Sequence, residues 1–553
     1  MAELKVHNRN PWERPAILTA FHSGVVAVLL VCSCALSQVR MNVENFRVHP
    51  GTMAQCEPVV AVSPIDPNLL FASSYTINTA TSFTSEGVYI STDGGEHWFG
   101  SDTCTGALLT NHGGNPGVAV DTSGRLILSH MGRDPYLGVY TNYSTNLGMS
   151  WSNATTVTGE QAEDKAATVM DINSESPYYG RTYLVWVNKQ SISFPVTVSY
   201  STNSGESWPR PNAINDPPPT WSSGGSVAIA RDGKVYICWA GMSASNPRNE
   251  DYIGMATSTN GGIDWTVDQN IIDMNGIYGI ISSKNNILVN GLPQIEIDNS
   301  GGVYDGNLYI VTSEKNLSPA GSDPDIILHR SIDSGKTWSP GIRVNQDAVN
   351  NGKVQYFPAM AIDKFGAINI IFMDDRNTTT DSAEVVLARS TDAGGNWNEN
   401  YIQRSPVQPK PIPGMASYFQ GDHIALLAND DILQAFWMDD FSGIYQIWTC
   451  RIPLRLLDVE PQIHVPEQFE LEQNYPNPFN PSTVIRYQLS VSGYVSLKVY
   501  TMLGVEVATL INGMQEVGYK SVTFEASGLP SGVYYYRLQG ETFTDVKKMI
   551  FVR

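Results

Sequence analysis

The sequence predicts an all-β protein built from one small antiparallel unit used many times, and three observations predict it. A four-position pattern, S-x-[D/N]-x-G-x-x-W, occurs six times: "STDGGEHW" (91–98), "STNLGMSW" (144–151), "STNSGESW" (201–208), "STNGGIDW" (258–265), "SIDSGKTW" (331–338) and "STDAGGNW" (390–397). Upstream of each copy stand short apolar runs, such as "PVVAV", "NLLFASS" and "GVYIS" before the first. The 553 residues include 47 Gly, 32 Pro and 26 Tyr, a composition that favours short strands and tight turns over helices. Self-similarity of this kind marks a repeat architecture.

Each unit reads as a meander of strands A, B, C and D, with the motif at the C–D turn. A seventh unit, residues 423–452, keeps three apolar runs but lacks the motif. The motif's chemistry is local. Its fifth-position Gly allows a backbone angle that a side chain resists. Its Ser and Asp or Asn oxygens can bond nearby backbone N–H groups. Asn replaces Asp in three copies, so a charge is not required. The Trp opens strand D and can pack its face between neighbouring sheets. The staple residues are thus Asp93, Trp98, Asn146, Trp151, Asn203, Trp208, Asn260, Trp265, Asp333, Trp338, Asp392 and Trp397.

This pattern resembles the Asp-box, or BNR repeat, of the sialidase superfamily. The resemblance spans residues 56–452 and implies a β-propeller, in which four-stranded blades surround a central channel. Seven blades are expected from the seven units, with the six of the sialidases as the alternative. Residues 42–50, "NVENFRVHP", are expected to supply a closing strand.

Composition narrows the function. Hydrophobic residues make up 42% of the chain, charged residues 16%, and the net charge is −20, which repels phosphate backbones and argues against nucleic acid. Arg9 and Arg14 precede an apolar run, and Ala35 and Ser37 fit a cleavage site before Gln38, so residues 1–37 read as a signal peptide. Four Cys remain beyond it. Cys56 and Cys104 bracket the first repeat and are expected to form a disulfide, while Cys238 and Cys450 sit in strand-like runs and read as buried apolar residues. No C-x-x-C and no His cluster occurs, so no metal site is expected from sequence. The loop "GSDPD" (321–325) leaves Ca²⁺ open, although no full ligand set is legible.

The tail carries a second resemblance. Residues 471–553 begin "LEQNYPNPFNPSTVIRYQL" and run on through "SGVYYYRLQ" to "KKMIFVR". Val495, Leu497 and Val499 alternate as in a strand with one buried face. The tail looks like a type IX secretion C-terminal sorting domain. That resemblance implies an Ig-like sandwich, export across the outer membrane, and the secretion machinery as a partner through residues 471–553. The propeller then covers residues 38–456, and Pro461 and Pro466 mark a linker over 457–470. A secreted or cell-surface monomer is expected.

In an A–B–C–D meander the A–B and C–D turns share one face, and the B–C and D–A loops share the other. Function is expected on the loop face. The ligand-binding candidates there are Tyr75, Trp186, Asn188, Trp239, Glu314, Asp375, Trp437 and Asp440. His130 and Phe372 stand in the same column as the three Trp, and the D–A loops add His112, Glu160, Asp164, Tyr418 and Asp422. The leading reading is a module that binds a glycan or protein ligand. The sialidase resemblance implies three arginines on a substrate carboxylate and a tyrosine nucleophile helped by a glutamate; Arg133, Arg248, Arg376 and Tyr418 are the candidates, with Glu160 or Glu314 as the helper and Asp134 or Asp374 as acid. Against that, "FRVHP" (46–50) departs from the family's Phe/Tyr-Arg-Ile-Pro motif. A third reading is a hydrolase that pairs Asp374 with Asp439 or Asp440. Whether the chain is an enzyme stays open at this stage.

Overall fold

In a computed structural model of the chain, residues 39–553 are described, apart from 107–110, 160–165, 192, 216–220, 243–248, 458–468, 492, 516–517 and 541–542. The expected signal peptide and most of the expected linker lie outside these residues. Among the described residues no helix is long and apolar enough to cross a membrane.

Seven antiparallel sheets follow one another along the chain, each with its four strands in A–B–C–D order. Sheet 1 holds Ala54–Val62, Leu70–Asn78, Phe83–Ser91 and Phe99–Ser101. Sheet 2 holds Gly117–Val120, Leu126–Gly132, Gly138–Ser144 and Thr155–Thr158. Sheet 3 holds Ala167–Met170, Thr182–Val187, Val196–Ser201 and Asn212–Ala213. Sheet 4 holds Trp221–Ile229, Val235–Met242, Glu250–Ser258 and Thr266–Asp273. Sheet 5 holds Gln294–Ile297, Leu308–Glu314, Asp325–Ser331 and Ile342–Arg343. Sheet 6 holds Gln355–Ile362, Ile368–Asp374, Glu384–Ser390 and Asn398–Tyr401, with one more short strand at its edge. Sheet 7 holds Ala425–Asn429, Ile432–Asp439 and Gln446–Pro453, and takes its fourth strand, Phe46–Arg47, from the start of the chain. The first strand of each sheet lies against the first strand of the next, and that of sheet 7 against that of sheet 1. The sheets therefore close a ring, a β-propeller.

The six motifs fold alike. In sheet 3 the Ser201 hydroxyl donates to Asn203 Oδ1 at 2.8 Å and accepts the Gly205 N–H at 2.9 Å, while Asn203 Oδ1 also accepts the Ser207 N–H at 3.0 Å. In sheet 1 Ser91, Asp93, Gly95 and His97 make the same three bonds at 2.8, 2.8 and 2.9 Å. The fifth position is Gly for two reasons. Gly95 and Gly205 hold φ of +87° and +81°, and a Cβ there would overlap Gln434 of sheet 7 and crowd Ile127 of sheet 2. The turn thus leans on the preceding sheet. The tryptophans do the same: Trp98 meets Phe436 of sheet 7 edge-on at 5.8 Å, Trp151 meets Phe71 of sheet 1 at 5.6 Å, and Trp208 donates to Thr141 of sheet 2 at 2.9 Å.

Sheet 7 lacks the motif for a physical reason. Its outer strand arrives from the N-terminus, where Phe46 pairs with Thr449 and Arg47 with Trp448. No C–D turn exists there for a motif to lock.

The expected Cys56–Cys104 disulfide is corrected: both thiols are free and buried. Cys56 joins a cluster with Ala54, Tyr75 and Trp437, whereas Cys104 joins a different one with Phe71, Val118 and Leu128. Each is buried as a small apolar side chain in its own cluster, and burial pushes the Cys56 thiol up. Cys238 and Cys450 are buried in their strands as the sequence suggests.

The tail folds as two sheets, one of Glu470–Leu471, Ser482–Leu489 and Gly518–Glu525, the other of Gly493–Thr501, Glu506–Gln515, Gly532–Gln539 and Thr544–Phe551. Val495, Leu497 and Val499 all point into a shared core with Ile485, Phe524 and Phe551, as their alternation requires.

Candidate functional site

The loop face is dominated by a segment that the sequence reading left unassigned. Between sheets 4 and 5 the chain forms a hairpin of Gly279–Ile281 and Ile287–Val289 around a turn at Ser282–Lys284. Ile277, Ile287 and Val289 are buried in one cluster with Ala54 and Tyr75 of sheet 1, Tyr356 of sheet 6 and Trp437 of sheet 7. The hairpin therefore leaves its own neighbours and packs across the ring. Polar bonds hold it there. Leu288 N–H donates to Tyr418 O at 2.9 Å, Asn285 Nδ2 to Pro409 O at 2.8 Å, and Asn290 Nδ2 to Asp422 O at 3.1 Å. Lys284 is fully buried. Its Nζ reaches Asp375 Oδ2 at 2.5 Å and the carbonyls of Thr380 and Ser382 at 2.5 and 3.0 Å. Burial pulls this ammonium down, and Asp375 works against that pull. The signal was the pair of short apolar runs around "SSKNN" (282–286), which lie outside the six-motif grammar.

The arginine expectation does not survive as a set. Arg376 is clamped by its own sheet: Nη1 and Nη2 bond Glu399 at 2.6 and 2.9 Å, and Nε bonds Asp374. Burial alone would lower its pKa, but the Asp374 and Glu399 carboxylates more than offset it. A guanidinium spent in this way is not free for a substrate carboxylate. Arg133 Nη1 donates to Thr84 Oγ1 at 3.2 Å between sheets 1 and 2. Arg248, Glu160 and Asp164 lie outside the described residues. Tyr418 is 39% exposed in the segment between sheets 6 and 7.

Of the two readings the aromatic column allows, packing between sheets and a stacking surface for a ligand, the structure has the packing, so these residues are corrected as ligand-binding candidates. Trp186, Trp239 and Trp437 are 1%, 0% and 1% exposed, and Tyr75 is 4% exposed with its ring edge-on to Phe419 at 6.3 Å. They fill the spaces between sheets and offer no face to a ligand, because strand B lies inside its sheet and is covered on both sides. The rings that do stand out on the loop face are Tyr136, Tyr418 and Phe441, at 49%, 39% and 75% exposed.

The acidic candidates are engaged, and all but the half-buried Asp440 are buried. Burial pushes Asp374 up to about 6 against the opposing pull of Arg376 and of Gln355, which donates at 3.0 Å. Burial also pushes Asp439 up to about 6, although it accepts from Phe441 N–H and Gln403 Nε2, both at 2.8 Å. Asp375 belongs to Lys284 and the Val354 N–H, and Asp440 pairs with Lys410. Glu314 accepts the Thr312 hydroxyl at 2.6 Å and stands 3.3 Å from His329. Asn188 Oδ1 caps the Gln190 N–H at 2.9 Å. In the "GSDPD" loop Asp323 accepts the Gly352 N–H at 2.7 Å, and Asp325 accepts from Gly321 and Arg343, both at 2.7 Å. These oxygens serve the loop itself.

One group is assembled only by the fold. His112, from the D–A segment before sheet 2, stacks on His130 of sheet 2 with ring centroids 3.9 Å apart and planes 5° apart. Glu86 of sheet 1 stands beside them. The sequence shows no His cluster because the three residues come from three separate segments.

Comparison with known proteins places the two parts of the chain differently. Residues 473–552 match the family described as a secretion system C-terminal sorting domain. The tail is a type IX secretion sorting domain, and the protein is exported to the cell surface or beyond. No characterised sequence relative matches the chain. Among solved structures the chain is similar to a PL25 polysaccharide lyase, an ulvan lyase, at 9% identity and TM-score 0.45, covering 73% of this chain and 95% of that one. It is similar to the α-L-arabinofuranosidase Arb93A of Fusarium graminearum at 13% identity and TM-score 0.39, covering 62% and 92%. It is also similar to PorZ, a surface component of the type IX system of Porphyromonas gingivalis, at 12% identity and TM-score 0.28, covering 90% and 70%. These likenesses are too loose to carry an activity from any of these proteins to this one.

Proposed function

We propose that the chain is a seven-bladed propeller of the Asp-box type, carried out of the cell by an Ig-like sorting domain, and that its loop face binds an extracellular glycan or protein ligand without chemistry. The observation that carries this reading is the make-up of that face. Tyr136, Tyr418 and Phe441 are exposed on loops of that face, and the 279–289 hairpin packs there against sheets 1, 6 and 7, so the face offers stacking edges. Arg376, the arginine a sialidase would aim at its substrate, is committed to Glu399 and Asp374.

The test is a binding screen of the secreted protein on arrayed glycans and extracellular polysaccharides. Saturable binding that weakens at least tenfold in Y136A or F441A, with unchanged melting temperature, supports the reading. Release of sialic acid or of new sugar ends by the wild-type protein overturns it. Asp439, pushed up to about 6, is the specific observation that favours the hydrolase alternative, because a general acid works best near ambient pH. Any turnover abolished by D439N would establish that alternative.

A further inference from the structure

We propose that a groove between the outer edges of sheets 3 and 4 is a subsite for a neutral oligosaccharide. The proposal rests on the reading of the loop face as a glycan-binding surface, and it adds the place and the chemical class of the ligand. The groove has a volume of about 520 Å³, within the range of sites that hold small ligands. One wall is the B–C loop of sheet 3 with the end of that sheet's last strand, and the other is the last strand of sheet 4.

A sugar ring has apolar C–H faces and a rim of hydroxyls, and the groove supplies a surface for each. Pro195, Ile214 and Val267 give the apolar part, and the last two belong to the core cluster shared by sheets 3 and 4. Ser191, Ser193 and Gln269 give the polar part, with hydroxyls that donate and accept and an amide that does each at a separate atom. The Ser191 and Ser193 hydroxyl oxygens stand 3.4 Å apart, so the loop presents two hydroxyls together. Gln269 Oε1 has no hydrogen-bond partner among the described residues, so turning this amide toward a ligand hydroxyl breaks no bond at that oxygen.

Charge selects the ligand. Among the described residues no charged side chain lines the groove, and the chain's net charge of −20 repels anions. Nothing there pairs with the carboxylate or sulfate of an acidic polysaccharide, whereas a neutral sugar needs no counter-charge.

The walls are fixed before a ligand arrives. Asn215 joins them: its Oδ1 accepts the Val196 N–H of sheet 3 at 2.7 Å, and its Nδ2 donates to Ser222 Oγ of sheet 4 at 2.9 Å. Phe194, between Ser193 and Pro195 in the chain, stacks on Trp221 of sheet 4 with ring centroids 5.4 Å apart. Its φ of +46° is one that a bulky side chain resists, and residues held in this way cluster at ligand-binding sites. A loop already ordered loses little freedom on binding. By contrast, the hollow beside Tyr356 and Tyr445 between sheets 6 and 7 is about 10 Å³, room for a single water.

The experiment is calorimetric titration of the secreted protein with the neutral trisaccharides cellotriose, xylotriose and mannotriose, and with the acidic trigalacturonate. The expected result is saturable binding of a neutral trisaccharide and none of the acidic one. A213W sets an indole into the groove from an exposed lining position and should weaken that binding about tenfold or more, and Q269A should weaken it several-fold, both with unchanged melting temperature. If A213W fails to fold, Q269A and a wild-type crystal soaked with the bound sugar decide, and sugar density against Val267 and Gln269 supports the proposal. Neutral binding that both groove variants leave unchanged, density elsewhere, binding of the acidic sugar alone, or no saccharide binding overturns it. Binding lost in Y136A or F441A but kept in A213W and Q269A overturns the groove and leaves the loop-face reading standing. Release of new sugar ends overturns that reading, whatever the groove binds.

Discussion

The two faces of the propeller are held by opposite means. On the motif face one device is repeated six times: a Ser hydroxyl, an Asp or Asn oxygen and a Gly amide close a turn that leans on the sheet before it. On the loop face the devices differ from place to place. A buried lysine holds the hairpin, a guanidinium clamps sheet 6, and two stacked imidazoles sit between sheets 1 and 2. Short-range bonds between residues two and four apart can be repeated without regard to their surroundings. Contacts between distant segments cannot, since each depends on what the fold brings opposite. The loop face is thus where one unit of this chain differs from another and where a ligand would be distinguished.

Substitutions can sharpen or break this contrast. The largest effect is expected on the loop face at Lys284. K284M leaves the Asp375 carboxylate buried beside apolar surface and should cost about 3–5 kcal/mol in denaturant unfolding, most of it recovered in K284M/D375N. An unchanged midpoint in K284M would mean that the hairpin is not held by this pair.

An intermediate effect is expected at Asp439 and depends on pH. Its folded pKa of about 6 exceeds the ordinary unfolded value of about 3.9. Below about pH 4 the carboxyl is protonated in both states and contributes nothing. Between about pH 4 and pH 6 the unfolded chain ionises first, so stability falls as pH rises. Above about pH 6 the loss is complete. The stability of the wild type relative to D439N should therefore drop by about 2–3 kcal/mol from pH 4 to pH 6.5 and then level off. A flat difference across that range would mean that Asp439 is solvated like an ordinary carboxylate.

The smallest effect belongs to the motif face. S201A removes the buried hydroxyl that bonds Asn203 and Gly205 and should cost about 1 kcal/mol. S144A and S258A should match it to within about 0.5 kcal/mol, because all three turns have the same geometry. A wide spread among the three would show that the turns, although alike in bonds, carry unequal loads.

Much of the fold was legible because its signals are local. The Ser, Asp or Asn, Gly and Trp spacing marks the C–D turns, and the apolar runs before each motif mark strands A to C. "NVENFRVHP" contains the strand that completes sheet 7, and the missing seventh motif follows from that strand's origin. In the tail, Val495, Leu497 and Val499 alternate into the core as a sandwich strand must. The candidate site was less legible. Trp186, Trp239 and Trp437 looked the same in sequence whether they faced a ligand or a neighbouring sheet, and they face the sheet. Arg376 looked free because nothing in "MDDRN" reveals that Glu399 lies opposite it on the outer strand.

The sequence by itself determined the repeated turn, the strand grammar and the exported character of the chain, since each rests on residues close together or on a tail that folds around its own core. Only the tertiary structure decided which side chains share an environment. Closing the ring brings the 279–289 hairpin onto sheets 6, 7 and 1, sets Lys284 on Asp375, and stacks His112 on His130 beside Glu86. The reason is physical. A hydrogen-bonded turn is specified by its own few residues, whereas burial, pairing and ligand geometry depend on atoms delivered by segments that are remote in the chain.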